Sequence, residues 1–166
     1  MSSFNLNVHL GRIPRELRDS PGSMPLRAQR AAVSAGMPYL MRHLALATPT
    51  GATGKARQSV TTRMESGPTV RGFVGYGLAS TYIGFVNDGT RPHWPPIAPL
   101  AYWAARKFGY GVGSPEAKRM GYLVARSISR KGTKAQRFVE NTVTSERRPV
   151  QKLMADAALR SFKNDR

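Results

Sequence analysis

A chain of 166 residues has room for one modest core, and without cysteine it has no disulfide framework, thiolate metal site or cysteine nucleophile. Twenty-six Lys and Arg against nine Asp and Glu leave a net charge of +17, so an isolated chain repels itself and is drawn to polyanions, nucleic acid first among them. No run of about eighteen apolar residues and no charged-then-apolar leader pattern is present, so the expectation is one intracellular domain, 1–166, with no membrane partner.

Three stretches organise that expected domain: an N-terminal strand and connection (1–23), a helix, sheet and proline-rich arm (24–113), and basic C-terminal helices (114–166). Phe4, Leu6, Val8 and Leu10 alternate with Asn5, Asn7 and His9, the period of a half-buried strand. Pro14, Pro21 and Gly22 mark the following stretch as connection, and Ser23 is placed to cap a helix. From Met24 to about Ala47, Leu26, Val33, Met37, Leu40, Met41 and Leu44 share one helical face, and Pro38 predicts a kink or a split. Thr48–Gly54 is a loop by composition. Arg57–Arg63 and Thr69–Tyr76 read as a hairpin turning near Ser66-Gly67-Pro68, with Val60, Val70, Phe73 and Val74 inward, and Tyr82–Val86 as a third strand beside them.

Asn87-Asp88-Gly89-Thr90 then reads as a turn, and Pro92–Pro99 as a rigid extended arm that loses little entropy on ordering. A helix can begin after Pro99, with Leu100, Trp103, Ala104 and Phe108 on one face. Gly109, Gly111 and Gly113 follow a helix and not a strand, which argues for a flexible connection over a phosphate cradle. Ser114-Pro115-Glu116 is a helix start, and Ala117, Met120, Gly121, Val124 and Ile128 form one face of that helix. Arg119, Arg126 and Arg130 form the opposite face, and Lys131, Lys134 and Arg137 continue it. Gly132 ends the helix, Phe138 and Val139 tie the next segment to the core, and a last helix starts near Arg148 or Pro149. The predicted class is α+β: a small antiparallel sheet against a long kinked helix, with further C-terminal helices.

No constellation of residues points to chemistry. His9, His43 and His93 lack partners at metal-ligand spacing, and no cofactor motif occurs. Asp88 suits a turn, Glu116 a helix start, and Asp156, four residues from both Lys152 and Arg160, an ion pair. Neither Ser59 nor Ser127 lies in a nucleophile elbow. The arm therefore suits a protein contact, with Tyr82, Phe85, Asn87, Asp88, Gly89, Thr90, Arg91, Pro92, His93 and Trp94 as candidate contact residues. Trp94 itself fits a core plug as well as it fits an interface anchor. The stripe Arg119, Arg126, Arg130, Lys131, Lys134 and Arg137 suits DNA contact, and equally a solvated face or acidic protein neighbours.

Three segments in order resemble one family. TPTGATGKARQSV, YIGFVNDGTRPHWPPIAPL and ARSISRKGTKAQRFVENTV are similar to segments of the tail-completion, or head-tail joining, neck proteins of tailed bacteriophages. Thr53, Gly54, Arg57 and Ser59 match the first motif; Tyr82, Val86, Gly89, Thr90, Arg91, Pro92 and His93 the second; Lys131, Gly132, Thr133 and Phe138 the third. The chain departs from the pattern at Asn87-Asp88, where the family carries a glutamate and an aromatic residue, and at Ala56, where it carries leucine. The resemblance implies a non-enzymatic virion protein made in the host cytoplasm and assembled as a ring, a hexamer first, at the head-tail junction. Its implied partners are the adjoining neck and tail-terminator or tube proteins, and packaged DNA read without sequence specificity. The alternative is a free basic nucleic-acid-binding protein, which the charge alone supports, although no recognition helix, zinc finger or aromatic stacking motif is legible in the sequence.

Overall fold

A computed structural model of the chain describes residues 26–51, 53–77 and 82–163; the expected N-terminal strand and the Ser23 cap lie outside the described residues. The element order is α1 (Leu26–Ala47), α2 (Lys55–Gln58), β1 (Val60–Ser66), β2 (Val70–Tyr76), α3 (Ile83–Asp88), α4 (Ile97–Phe108), α5 (Pro115–Lys131) and α6 (Phe138–Lys163). A two-stranded antiparallel sheet, a long helix and several C-terminal helices make the fold α+β. The chain gathers into two compact units, each with its own buried set. The first comprises residues 1–48, 59–77 and 138–166, and the second residues 49–58 and 78–137. The boundaries of the expected segments do not follow these units, because α6 belongs with α1 and the sheet.

In the first unit, α1 and α6 run antiparallel. Gly36 faces Val150 and Met154, while Tyr39 reaches Glu146. The buried face of α1 is Ala28, Ala32, Val33, Gly36, Leu40 and Leu44, smaller than expected, and Leu26 and Met41 stay exposed. Helix α1 runs through Pro38 without splitting, and α6 likewise runs through Pro149. A proline inside a helix costs about 3 kcal/mol. Burial on both sides of each proline offsets that cost, since Val33 and Leu40 flank the first, and Val139 and Val150 the second.

The hairpin forms with the register Val60↔Tyr76 through Ser66↔Val70, turning at residues 67–69. Val60 and Val74 are buried and Val70 and Phe73 half-buried. The first strand begins three residues later than expected because Arg57 sits in the short helix α2. At the other end, the hydroxyl of the wholly buried Thr48 donates to the Leu44 carbonyl at 2.6 Å and lies 2.6 Å from the Tyr76 hydroxyl.

Two sequence expectations are corrected by the helices. The last helix starts at Phe138, ten residues before Arg148. Its first turns, rich in Thr, Asn and Ser, have weak helix propensity, but Phe138 and Val139 are buried and the Thr142 hydroxyl bonds back to the Phe138 carbonyl at 2.7 Å. Tertiary burial overrides propensity there. The expected third strand, Tyr82–Val86, is instead helix α3, which buries Ile83 and Asn87 at i and i+4 and leaves Phe85 outside. With no strand partner among the described residues, β-branched and aromatic composition over five residues decides nothing.

In the second unit, α4 packs on α5 through small residues. Ala101, Ala104 and Ala105 face Ala117, Gly121 and Ala125, all buried, while the expected face residues Trp103 and Phe108 stand half-buried and exposed. The approach is close enough that a Cβ on Gly121 would lie 2.6 Å from the Ala101 nitrogen. Helix α4 also starts two to three residues early, because Pro99 is tolerated in a first turn whose N–H groups have no helical acceptor. The start of α5 is as expected: Ser114 accepts from the Ala117 N–H at 3.2 Å and Pro115 opens the helix. The Glu116 carboxyl is held below its ordinary range by its own backbone N–H and by Ser114.

Gly121→Ala should therefore destabilise the chain by about 1–3 kcal/mol in chemical denaturation, since backbone must move to admit the methyl group. Gly36→Ala should cost less. Its Cβ meets the Met154 side chain, at 2.7 Å, which can shift, and the helix gains about 1 kcal/mol of propensity.

Candidate interaction surface

Two Gly-Thr dipeptides forty-three residues apart meet in the second unit. Thr90 and Thr133 form an isolated antiparallel bridge in which each N–H donates to the other's carbonyl at 3.1 Å. Their hydroxyls lie 3.0 Å apart, and the Thr133 N–H also reaches Thr90 Oγ1 at 3.2 Å. Both preceding glycines hold positive φ, +74° at Gly89 and +69° at Gly132. A Cβ on Gly89 would lie 2.5 Å from the Thr133 oxygen, and one on Gly132 would collide with the Thr90 carbonyl oxygen. Only glycine permits both the torsion and the approach. A second tie comes from Asn87, whose carbonyl accepts from Gln136 and Arg137 at 3.0 Å each. Arg137 itself takes φ +49°, which for a non-glycine residue is uncommon.

This clasp fixes where the expected contact residues go. Asn87 is wholly buried, and its side chain donates to Asp88 Oδ1 at 2.7 Å, so it holds the fold and is withdrawn from any contact surface. Gly89 and Thr90 are half-buried in the bridge. Tyr82, Phe85, Asp88, Arg91, Pro92, His93 and Trp94 are exposed, Phe85 at 64 % and Trp94 at 53 %. Trp94 is thus no core plug. Pro95 beside it is buried and anchors the arm. The His93 ring nitrogen Nδ1 lies 2.9 Å from the Arg91 carbonyl, which orients the ring locally.

All six residues of the expected basic stripe, Arg119, Arg126, Arg130, Lys131, Lys134 and Arg137, are exposed, and none makes an ion pair with a described residue. The second unit carries twelve Lys and Arg against two acids, Asp88 and Glu116, whereas the first carries fourteen against seven. The charge surplus is therefore concentrated on the unit that holds the clasp and the stripe. Tyr122 lies three residues after Arg119 and four before Arg126, which puts it inside the stripe, and it is 45 % exposed. Its ring meets that of Trp94 edge-on, with centroids 5.9 Å apart. The spacing from the arginines was readable in the sequence; the partnership with Trp94, twenty-eight residues away, was not.

The residues considered for chemistry have structural partners or none. Among the described residues no group of three or more His, Cys, Asp or Glu could hold a metal ion. The ion pair expected of Asp156 with Lys152 or Arg160 does not form. His43 instead stacks on Tyr39, centroids 4.3 Å apart, and its Nδ1 lies 3.4 Å from Glu146 Oε1. The Tyr39 hydroxyl donates to Glu146 Oε2 at 2.7 Å, which more than any other contact lowers the Glu146 pKa and raises that of Tyr39. The first motif supplies a turn: Gly54 N–H donates to Thr50 O at 2.9 Å, and the Ser59 carbonyl accepts from Gly77 at 2.9 Å. No helix of the described residues is long and apolar enough to cross a membrane.

Two measurements check this geometry. Gly132→Ala should cost roughly 2–5 kcal/mol by adding left-handed strain to backbone overlap, whereas Gly111→Ala, whose Cβ would find its nearest neighbour at 3.7 Å, should stay within about 0.5 kcal/mol. A carboxyl whose pKa is lowered on folding stabilises the fold above its ordinary pKa of about 4.3 and loses that contribution as pH falls through the folded value. Glu146→Gln should therefore be less stable than the parent at neutral pH, with the difference shrinking as the pH falls below the ordinary carboxyl range and through the lowered folded value. Denaturation followed at several pH values reads it directly.

No family model, no curated protein and no solved structure matches this chain.

Proposed function

We propose that the protein is a ring-forming tail-completion, or head-tail joining, subunit of a tailed bacteriophage, connecting tail to head around the DNA path. The observation that carries this reading is the Gly89-Thr90 and Gly132-Thr133 bridge. It unites two of the three segments, DGTRPH and KGT, that carry the resemblance to that family. A resemblance assembled from unrelated stretches would have no reason to converge on one reciprocal backbone contact. The role is structural, in the virion neck, with adjoining neck and tail-terminator or tube proteins as partners. Ring contacts fall to the exposed residues of the motif region, Tyr82, Phe85, Asp88, Arg91, Pro92 and His93. Trp94, expected from the sequence to be a contact residue, goes in this proposal with the basic stripe toward the DNA path because its ring lies against Tyr122.

A closed heterologous ring, six subunits first, is the expected assembly. Mass measurement of the purified protein and imaging of the assembled state test it. Phe85→Ser should leave the chain folded, since the ring is 64 % exposed, and should weaken assembly by roughly thirtyfold or more if Phe85 is a contact anchor. A parent chain that stays monomeric at every concentration would count against the neck role. The concentration of charge on the second unit favours one other reading, a free nucleic-acid-binding protein, and a monomer that binds nucleic acid would establish it.

A further inference from the structure

We infer that the α5 stripe with Trp94 and Tyr122 is a binding surface for single-stranded nucleic acid, in which the cations hold phosphates and the two rings stack on bases. The inference goes beyond the neck reading and stands on the surface alone, so it holds whether or not the chain assembles into a ring.

Three features of the surface select this ligand. The first is charge: Arg119, Arg126 and Arg130 recur along one helix face, Lys131, Lys134 and Arg137 follow in the chain and are also exposed, and no described acid pairs with any of them. From Arg119 to Arg130 the helix rises about 16 Å, at about 1.5 Å per residue, so the arginines can meet more than one phosphate of an extended strand. The second is the position of the aromatic residues. Tyr122 is within the arginine face, and Trp94 is brought against it, with both rings about half exposed. A solvated basic face has no use for an exposed Trp–Tyr pair, because leaving those rings in water forgoes apolar burial. The third is the mismatch with the other polyanions. A duplex offers this face phosphates and sugars while its bases stay stacked, and the carboxylates by which an acidic protein would pair with the cations do not stack on a ring. An open strand offers both phosphate and base, and stacking of one base is worth about 1–3 kcal/mol.

Rigidity favours the arrangement. Trp94 is on an arm held by buried Pro95 and by the Thr90–Thr133 bridge, so little conformational entropy is lost when a base docks.

The test uses the full chain carrying Trp103→Phe, so that Trp94 is the sole tryptophan, with a dT oligonucleotide and a duplex of equal phosphate number as probes. Binding of the dT strand should quench Trp94 fluorescence and should be tighter than duplex binding at each salt concentration. Tyr122→Ala should weaken dT binding roughly 5- to 100-fold with an unchanged salt slope, and Tyr122→Phe should restore it. Changing Arg126, Arg130 and Lys134 together to Gln should do the reverse, flattening the slope of log K against log salt by about 0.7 for each phosphate no longer held. Circular dichroism of each variant separates a binding defect from a folding defect. Duplex bound as tightly as the single strand, with Tyr122→Ala changing neither, would overturn the proposal and leave a phosphate-only face. Absence of binding to either probe by the folded chain would also overturn it and assign the stripe to solvent or to an acidic protein.

Discussion

The reciprocal bridge between Thr90 and Thr133 is the contact on which the second unit depends. Neither partner belongs to a strand of any length, so the bridge cannot be one rung of a ladder that would survive its removal. It persists because the two flanking glycines allow two backbones to approach within a distance that no side chain admits. Asn87 adds a second anchor from the same place, its carbonyl taking both the Gln136 and the Arg137 N–H. The end of α3, the start of the proline arm and the end of α5 are thereby fixed together.

A second close contact shapes the surface of the same unit. Helices α4 and α5 meet through Ala101, Ala104, Ala105 and Gly121, a contact so close that only small residues fit. Large side chains therefore lie on the outer faces of these two helices, where Tyr102, Phe108, Tyr122 and Leu123 are exposed. Combined with twelve cations and two acids in the same unit, the outcome is a face that is both aromatic and strongly positive. Like charges held this near to one another oppose compactness, and a polyanion or a complementary neighbour relieves that strain. Both functional readings use this property. They differ only in whether it serves an assembled particle or a free chain.

The first unit reaches stability by a different route. Its two long helices each carry an internal proline, and their polar contact, Tyr39 with Glu146 and His43, is at the rim of an otherwise apolar packing. Among the described residues the sheet is a hairpin, too small to stand by itself, and α1 covers it, with Val33 and Met37 closing over Gly72. Burial of that face compensates for helix propensity that the sequence lacks.

What the sequence by itself determined were the features set by local rules. The Ser114-Pro115 start and Gly132 end of α5, the hairpin turn at 67–69, the helical span of α1 and the exposed arginine face all depend on residues within a few positions of each other. The tertiary structure decided the rest. Tyr82–Val86 has strand composition but becomes helical because Ile83 and Asn87 are the residues buried, and Phe138–Arg147 is helical because Phe138 and Val139 are. The clasp and the Trp94–Tyr122 pair join residues forty-three and twenty-eight positions apart. No periodicity reports such a contact, since it forms only once the backbone has brought the partners together.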